Sequence, residues 1–205
     1  MSSFDFDAFE QLWVSSIARA LSSFSLAPND RVYALAFWQL YSEQGSVIYR
    51  PSVGIGSEAG WEKIRDGEPR DAGFGSLRWN PADWPHSILD LPDAQALDAA
   101  YLGLATHACG GIDPNTMREV DALPAAYEAS WSAVYDRGTG TLVHVARELT
   151  RRAHARVEAF AKLPVADDFV AVVCDPSLGE EGEELLRACV GEPLLSRLYP
   201  NLDCT

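Results

Sequence analysis

The chain has 205 residues, 47% hydrophobic and 22% charged, close to the averages of a soluble globular domain, so general disorder is excluded. Thirty acids against 16 bases give a formal net charge of −14, and the last quarter of the chain, from Glu158, carries half of it. Such a field repels nucleic acid and anionic membrane and attracts cationic partners.

From Asp5 to Leu26 the apolar residues Phe6, Phe9, Leu12, Trp13, Ile17, Ala20, Leu21 and Phe24 recur at helical spacing, which predicts an amphipathic helix ended by Pro28-Asn29-Asp30. Arg31 to Tyr41 is apolar on both alternating faces, as suits a central strand. A turn at Glu43–Ser46 and a second strand, Val47 to Ile55, complete a hairpin, with Pro51 marking an edge or a bulge. Ser57 is placed to cap a short helix, Glu58 to Arg65, with Trp61 and Ile64 facing inward. The preceding Gly54-Ile55-Gly56-Ser57 lacks the further glycine, or the Gly-Lys, that a phosphate loop needs. Asp66 to Ser76 reads as an exposed loop.

Leu77-Arg-Trp-Asn-Pro-Ala-Asp-Trp-Pro85 then places two of six tryptophans five positions apart among prolines that forbid regular structure. An irregular, well-packed corner is expected. A helix follows from Pro92 to Cys109, closed by Gly110-Gly111. Another starts at Asp113-Pro114, meets Pro124, resumes through Tyr127, Trp131 and Val134, and ends at Gly138 and Gly140. A third runs from Thr141 to about Leu163, with Val157 on its buried side and Arg147, Arg151, Arg152 and Arg156 outside. Phe169 to Cys174 is a short buried strand. An acidic helix, Gly179 to Val190, and a turn at Pro193 to Tyr199 complete the chain.

No repeat or linker divides these elements. The expectation is one α+β domain over residues 1–205, with a small, mostly antiparallel sheet (the hairpin and the C-terminal strand) packed with several helices. No apolar run is long enough to cross a bilayer. Acids stand in the opening Met-Ser-Ser-Phe-Asp-Phe-Asp where a signal peptide carries bases, so a cytoplasmic protein is expected.

Few residues are arranged for chemistry. Cys109, Cys174, Cys189 and Cys204 form no closely spaced pair, and no histidines have zincin spacing. His144 and His154 on one predicted helix are about 15 Å apart along its axis, too far to share an ion. No metal and no cofactor is therefore expected. Cys109 and His107 sit near a helix C-terminus, which disfavours a thiolate. Asp83, between the tryptophans, reads as a turn residue before it reads as a general acid. The arginine cluster is expected mainly to neutralise neighbours such as Glu148 and Glu158.

Three segments in order carry a family likeness: the opening helix with Val32–Phe37 and the second strand, Leu77–Trp84, and Phe169–Pro176 followed by an acidic stretch and the tail Leu198-Tyr199-Pro200-Asn201. Together they resemble the bacterial domain of unknown function 4303 family. That family has no established catalytic residues, so the resemblance implies none here. It implies instead a context like that of immunity proteins encoded beside secreted toxins.

The reading is therefore a non-enzymatic, acidic binding protein with a basic protein partner, such as a cognate toxin, and no nucleic-acid or membrane partner. Contact is assigned to Glu180, Glu181, Glu183 and Glu184, with Trp79, Asp83 and Trp84 as further partner-binding residues. One alternative is a ligand-binding or enzymatic pocket walled by Trp79, Trp84 and Tyr101 and holding Asp83 or His86. Another is an oligomeric adaptor domain.

Overall fold

The structure, a computed structural model, describes residues 3–40, 50–69, 76–108, 110–111, 125–174 and 179–191, with the side chains of residues 125–131 outside that set. The expected turns at 43–46 and 193–199, the helix opening at Asp113-Pro114 and most of the 66–76 loop fall outside it.

Helix α1 (Phe6–Ser23) starts where the Asp5 carboxylate accepts the Ala8 N–H at 2.9 Å. Its buried stripe is Phe9, Trp13, Val14, Ile17, Ala20 and Leu21, and it ends three residues before Leu26, where Phe24 is extended. Strand β1 (Val32–Trp38) is buried at every position and pairs antiparallel with β2 (Ser52–Ser57), which begins just after Pro51. The hairpin and the central place of β1 match the sequence reading, but β2 excludes Arg50 and Pro51 and runs on to Ser57, where Val47 to Ile55 was expected; residues 47–49 lie outside the described residues.

Helix α2 (Glu58–Ile64) follows β2 without a break. Ser57 Oγ accepts the Gly60 N–H, and buried Asp30 accepts the N–H groups of Ala59 and Arg31. Two 3₁₀ turns, Leu77–Trp79 and Pro81–Asp83, form the tryptophan corner. Helix α3 (Ala94–Ala108) closes with Gly110 and Gly111, both at positive φ.

Helix α4 runs unbroken from Ala125 to His154. The expected stop at Gly138 and Gly140 does not occur, because neither glycine has positive φ and Gly138 lets Leu104 of α3 approach to 3.3 Å from where a Cβ would stand. The helix does not reach Leu163 either. Arg156 and Glu158 adopt left-handed backbone (φ 52° and 54°), and the chain passes into a 3₁₀ turn, Glu158–Ala161. Val157 consequently lies exposed rather than on a buried helical stripe.

Strand β3 (Val165–Val173) completes the order β2-β1-β3, with α5 (Glu180–Val190) behind it. The fold is α+β, as expected, but β3 pairs parallel with β1, so the sheet is mixed and not mostly antiparallel. Antiparallel β2 has already returned the chain to the Val32 end of β1, where β3 also begins, so β3 runs parallel to β1.

Two irregularities shape the sheet. Tyr33 is an extra residue against β2, since Val32 pairs with Ser57 and Ala34 with Gly56; against β3 the register jumps from Val165 to Val170. On one face Phe37 meets Trp13 of α1 edge-on at 5.2 Å. Alternation puts Ala36 and its partner Gly54 on the other face, where Trp84 and Trp38 crowd Gly54.

Both outer edges of the sheet are closed. Beside β2, Ile55 donates to the His86 carbonyl (2.8 Å) and Leu89 to the Val53 carbonyl (2.7 Å). Beside β3, the N–H of Ala171 meets Thr150 Oγ1 (2.8 Å) and that of Val173 meets Cys189 Sγ (3.2 Å). Covered edges give no template for strand addition. Among the described residues, no helix is long and apolar enough to cross a membrane.

Candidate functional site

The tryptophan corner is built from its own short-range bonds. Trp79 donates its backbone N–H to the Ser76 carbonyl, and Asn80 caps the second turn, donating its amide to Asp83 Oδ2 at 2.6 Å. Asp83 is exposed and serves the turn through Asn80. Trp79 and Trp84 are only 4% and 3% exposed and stand edge-on to Tyr33 at 6.3 and 5.8 Å. Both rings are thus buried, whereas a role as partner anchors calls for exposure.

The residues expected to wall a pocket are divided between the two sides of the sheet. Tyr101 packs on Phe9 and Trp13, on the α1 side of the sheet, while Trp79 and Trp84 lie on the other side with Tyr33. His86 meets Phe24 edge-on at 5.1 Å. These side chains do not wall a common cavity.

At the corner's centre lies a residue that the sequence reading passed over. Arg78 is 3% exposed, and its guanidinium sits 3.8 Å from the Tyr33 ring centroid and 5.1 Å from that of Trp61. Glu58 (3.3 Å) and Asp168 (3.5 Å) balance its charge. Its carbonyl accepts from Tyr33 Oη (2.8 Å) and Trp84 Nε1 (3.1 Å). Burial holds the Tyr33 phenol well above its ordinary range, with the Arg78 charge opposing. The group ties α2, β1, β3 and the corner together. A charged residue inside Leu-Arg-Trp-Asn-Pro was the available signal.

Helix α5 carries the predicted acids. Its buried side is Gly182, Leu186, Cys189 and Val190, while Glu180, Glu181, Glu183 and Glu184 are all exposed. Glu183 pairs with Arg187 one turn on (2.8 Å), and Tyr135 of α4 donates to Glu181 (3.4 Å). Among the described residues, Glu180 and Glu184 make no ion pair. Gly179 supplies no side-chain cap, so acids in the first turn also favour the helix through its dipole.

The neighbouring arginines lie at the surface, tethered to backbone carbonyls or paired with carboxylates. Arg147 donates to the Ala188 carbonyl and Arg156 to that of Val165. Arg151 and Arg152 both bind Glu148 at 2.7 and 2.8 Å, and Arg152 reaches Glu158 at 2.6 Å, as the sequence reading anticipated. The hydrogen bond from Arg151, with that from Arg152, pulls the Glu148 carboxyl down to about 2. Burial pushes the Cys189 thiol up to about 12, far from a reactive thiolate. Among the described residues, no group of three or more His, Cys, Asp or Glu is placed to hold a metal ion. No protein-family model, no curated protein and no solved structure matches this chain.

Proposed function

We propose that the chain is a non-enzymatic binding protein of the bacterial cytoplasm that grips a basic protein partner through the exposed face of α5. The observation that carries this reading is the disposition of charge around α5. Glu180, Glu181, Glu183 and Glu184 are exposed, while on the adjoining stretch Arg151 and Arg152 are ion-paired with Glu148, and Arg147 and Arg156 are tethered to backbone carbonyls with their charge retained. With a net charge of −14, this leaves a carboxylate-rich surface that speeds encounter with a cationic partner and discourages nucleic acid. The closed sheet edges favour a contact made by side chains of helices over one made by strand pairing.

The resemblance to the domain of unknown function 4303 family belongs to the same proposal and makes a cognate toxin the favoured partner. A toxin that attacks nucleic acid has a basic cleft, and a row of carboxylates fits it as a phosphate mimic. The test is purification of the tagged chain from its native host at low salt, beside a variant with all four α5 glutamates changed to Gln. A stoichiometric basic partner, released by raised salt and absent from the variant, is expected. Recovery of no such partner, or equal recovery by the variant, overturns the reading. If the partner is a toxin, the native chain protects a cell expressing it and the variant does not.

A further inference from the structure

We infer that a second recognition site, separate from α5, seats an arginine side chain presented by another polypeptide. A cavity of about 380 Å³ opens between the start of α1 and the last turn of α3, lined chiefly by Ser3, Phe4, Asp5, Gly103, Thr106 and His107. Its size is at the lower end of small-ligand sites, roughly 300–1,000 Å³.

Three features of its wall select a flat cation. The Asp5 carboxylate supplies a full negative charge, with one oxygen occupied by the Ala8 N–H. The C-terminal end of α3 adds the negative pole of its dipole, opposite the positive pole at the start of α1 that the Asp5 carboxylate caps, while the carbonyls of Thr106 and His107 are taken by Gly111 and Gly110. Phe4 contributes an aromatic surface held edge-on by Phe6 (4.9 Å) and Phe9 (5.6 Å), with His107 at 6.5 Å. Guanidinium is weakly hydrated and stacks on aromatic faces, whereas ammonium holds its water. The same aromatic cluster already holds one such group: Arg137 lies 4.2 Å over the Phe6 ring.

The site adjoins the acidic helix. Val134 belongs, with Leu104 and Ala108, to the cluster on which Phe4 and Phe6 pack, and the next residue, Tyr135, donates to Glu181 of α5. One turn of α4 therefore touches both surfaces, and a basic partner lying across α5 has this pocket within reach. The inference stands without the α5 reading, because it concerns a small cation and different residues.

The test titrates the full chain with N-acetyl-L-arginine amide, N-acetyl-L-lysine amide and free L-arginine, following the aromatic NMR signals of Phe4 and His107. The capped arginine should bind with Kd of about 1 mM, a weak value suited to one side chain. The lysine probe should bind at least about five-fold more weakly, and so should free arginine, whose carboxylate meets Asp5. Asp5→Asn keeps the helix cap, since Asn caps as well as Asp, and should weaken binding about five-fold. Gly103→Leu fills the cavity from an exposed helical position and should abolish it, with thermal unfolding confirming that the variant is folded. No shift with capped arginine, equal binding of lysine, tighter binding of free arginine, or unchanged binding in both folded variants would each overturn the inference. Because α5 is untouched, loss of partner binding in the four-glutamate variant is a separate result.

Discussion

The Arg78 guanidinium stacks on the Tyr33 ring at 3.8 Å while Tyr33 returns its hydroxyl hydrogen to the Arg78 carbonyl at 2.8 Å. Each residue thus fixes the other, one through side chain and one through backbone. The bulge at Tyr33 makes this possible, because the extra residue turns the ring towards the corner.

Arg78→Leu tests the cation alone, since the carbonyl that accepts from Tyr33 and Trp84 remains. The change removes the cation that Glu58 and Asp168 both face. Their side chains are 19% and 29% exposed, so partial hydration softens the penalty for an orphaned buried charge. A loss of about 2–4 kcal/mol in urea unfolding is expected. Arg78→Lys keeps the charge but not the planar stack, and should recover less than half. A loss below about 0.5 kcal/mol for the leucine variant would show that the pairing does not organise the corner.

Two glycines should respond in opposite directions to alanine. At Gly56 a Cβ would stand 2.7 Å from the Tyr33 ring, which Arg78 holds in place, so Gly56→Ala should destabilise by about 1–3 kcal/mol through overpacking. At Gly140 a Cβ would meet open space within a continuous helix. Gly140→Ala should stabilise by about 0.5–1 kcal/mol through helix propensity. Paired thermal melts check both, and destabilisation at Gly140 would contradict the unbroken α4.

The contrast also shows what the sequence carried. Local signals located α1, the β1–β2 hairpin, the Ser57 cap and α5, because periodicity and caps are written within a few residues. Gly138 and Gly140 were read as a stop because the approach of Leu104 belongs to another helix and leaves no local mark. The direction of β3 was likewise hidden: Val170 and Val172 are equally good strand residues in either orientation, and only pairing with Ala34 and Ala36 makes the sheet mixed. At the site, the exposure of the α5 glutamates followed from their amphipathic helix. Trp79 and Trp84 carry no local mark of burial because Tyr33, on which they pack, is remote in sequence, and Arg78 carries none because Glu58 and Asp168 are remote too.

The closed edge of β3 depends on two side chains. Thr150→Val keeps shape but removes the oxygen that accepts the Ala171 N–H, leaving a buried donor unpaired at a cost of about 1–3 kcal/mol. Thr150→Ser retains the acceptor and should lose well under half as much. Hydrogen exchange at Ala171 is the local readout: faster exchange in the valine variant alone is expected. Unchanged protection in both would remove the hydroxyl as an edge closure.

Glu148 should give the fold an acid-sensitive component. Hydrogen bonds from Arg151 and Arg152 lower its carboxyl from 4.5 to about 2, so the folded state binds the proton less readily than the unfolded state does. The stabilisation is therefore fully present above pH 4.5 and is lost as pH falls towards about 2. Its size is limited to about 1 kcal/mol, because the Glu148 side chain is 27% exposed and solvent screens the pair. Glu148→Gln should thus unfold at lower urea than the native chain at pH 7, with the difference closing progressively below pH 4.5. Salt should narrow the gap at pH 7, since Arg151 is 65% exposed. A gap that persists unchanged at pH 2 would mean that Glu148 acts by packing, not by charge.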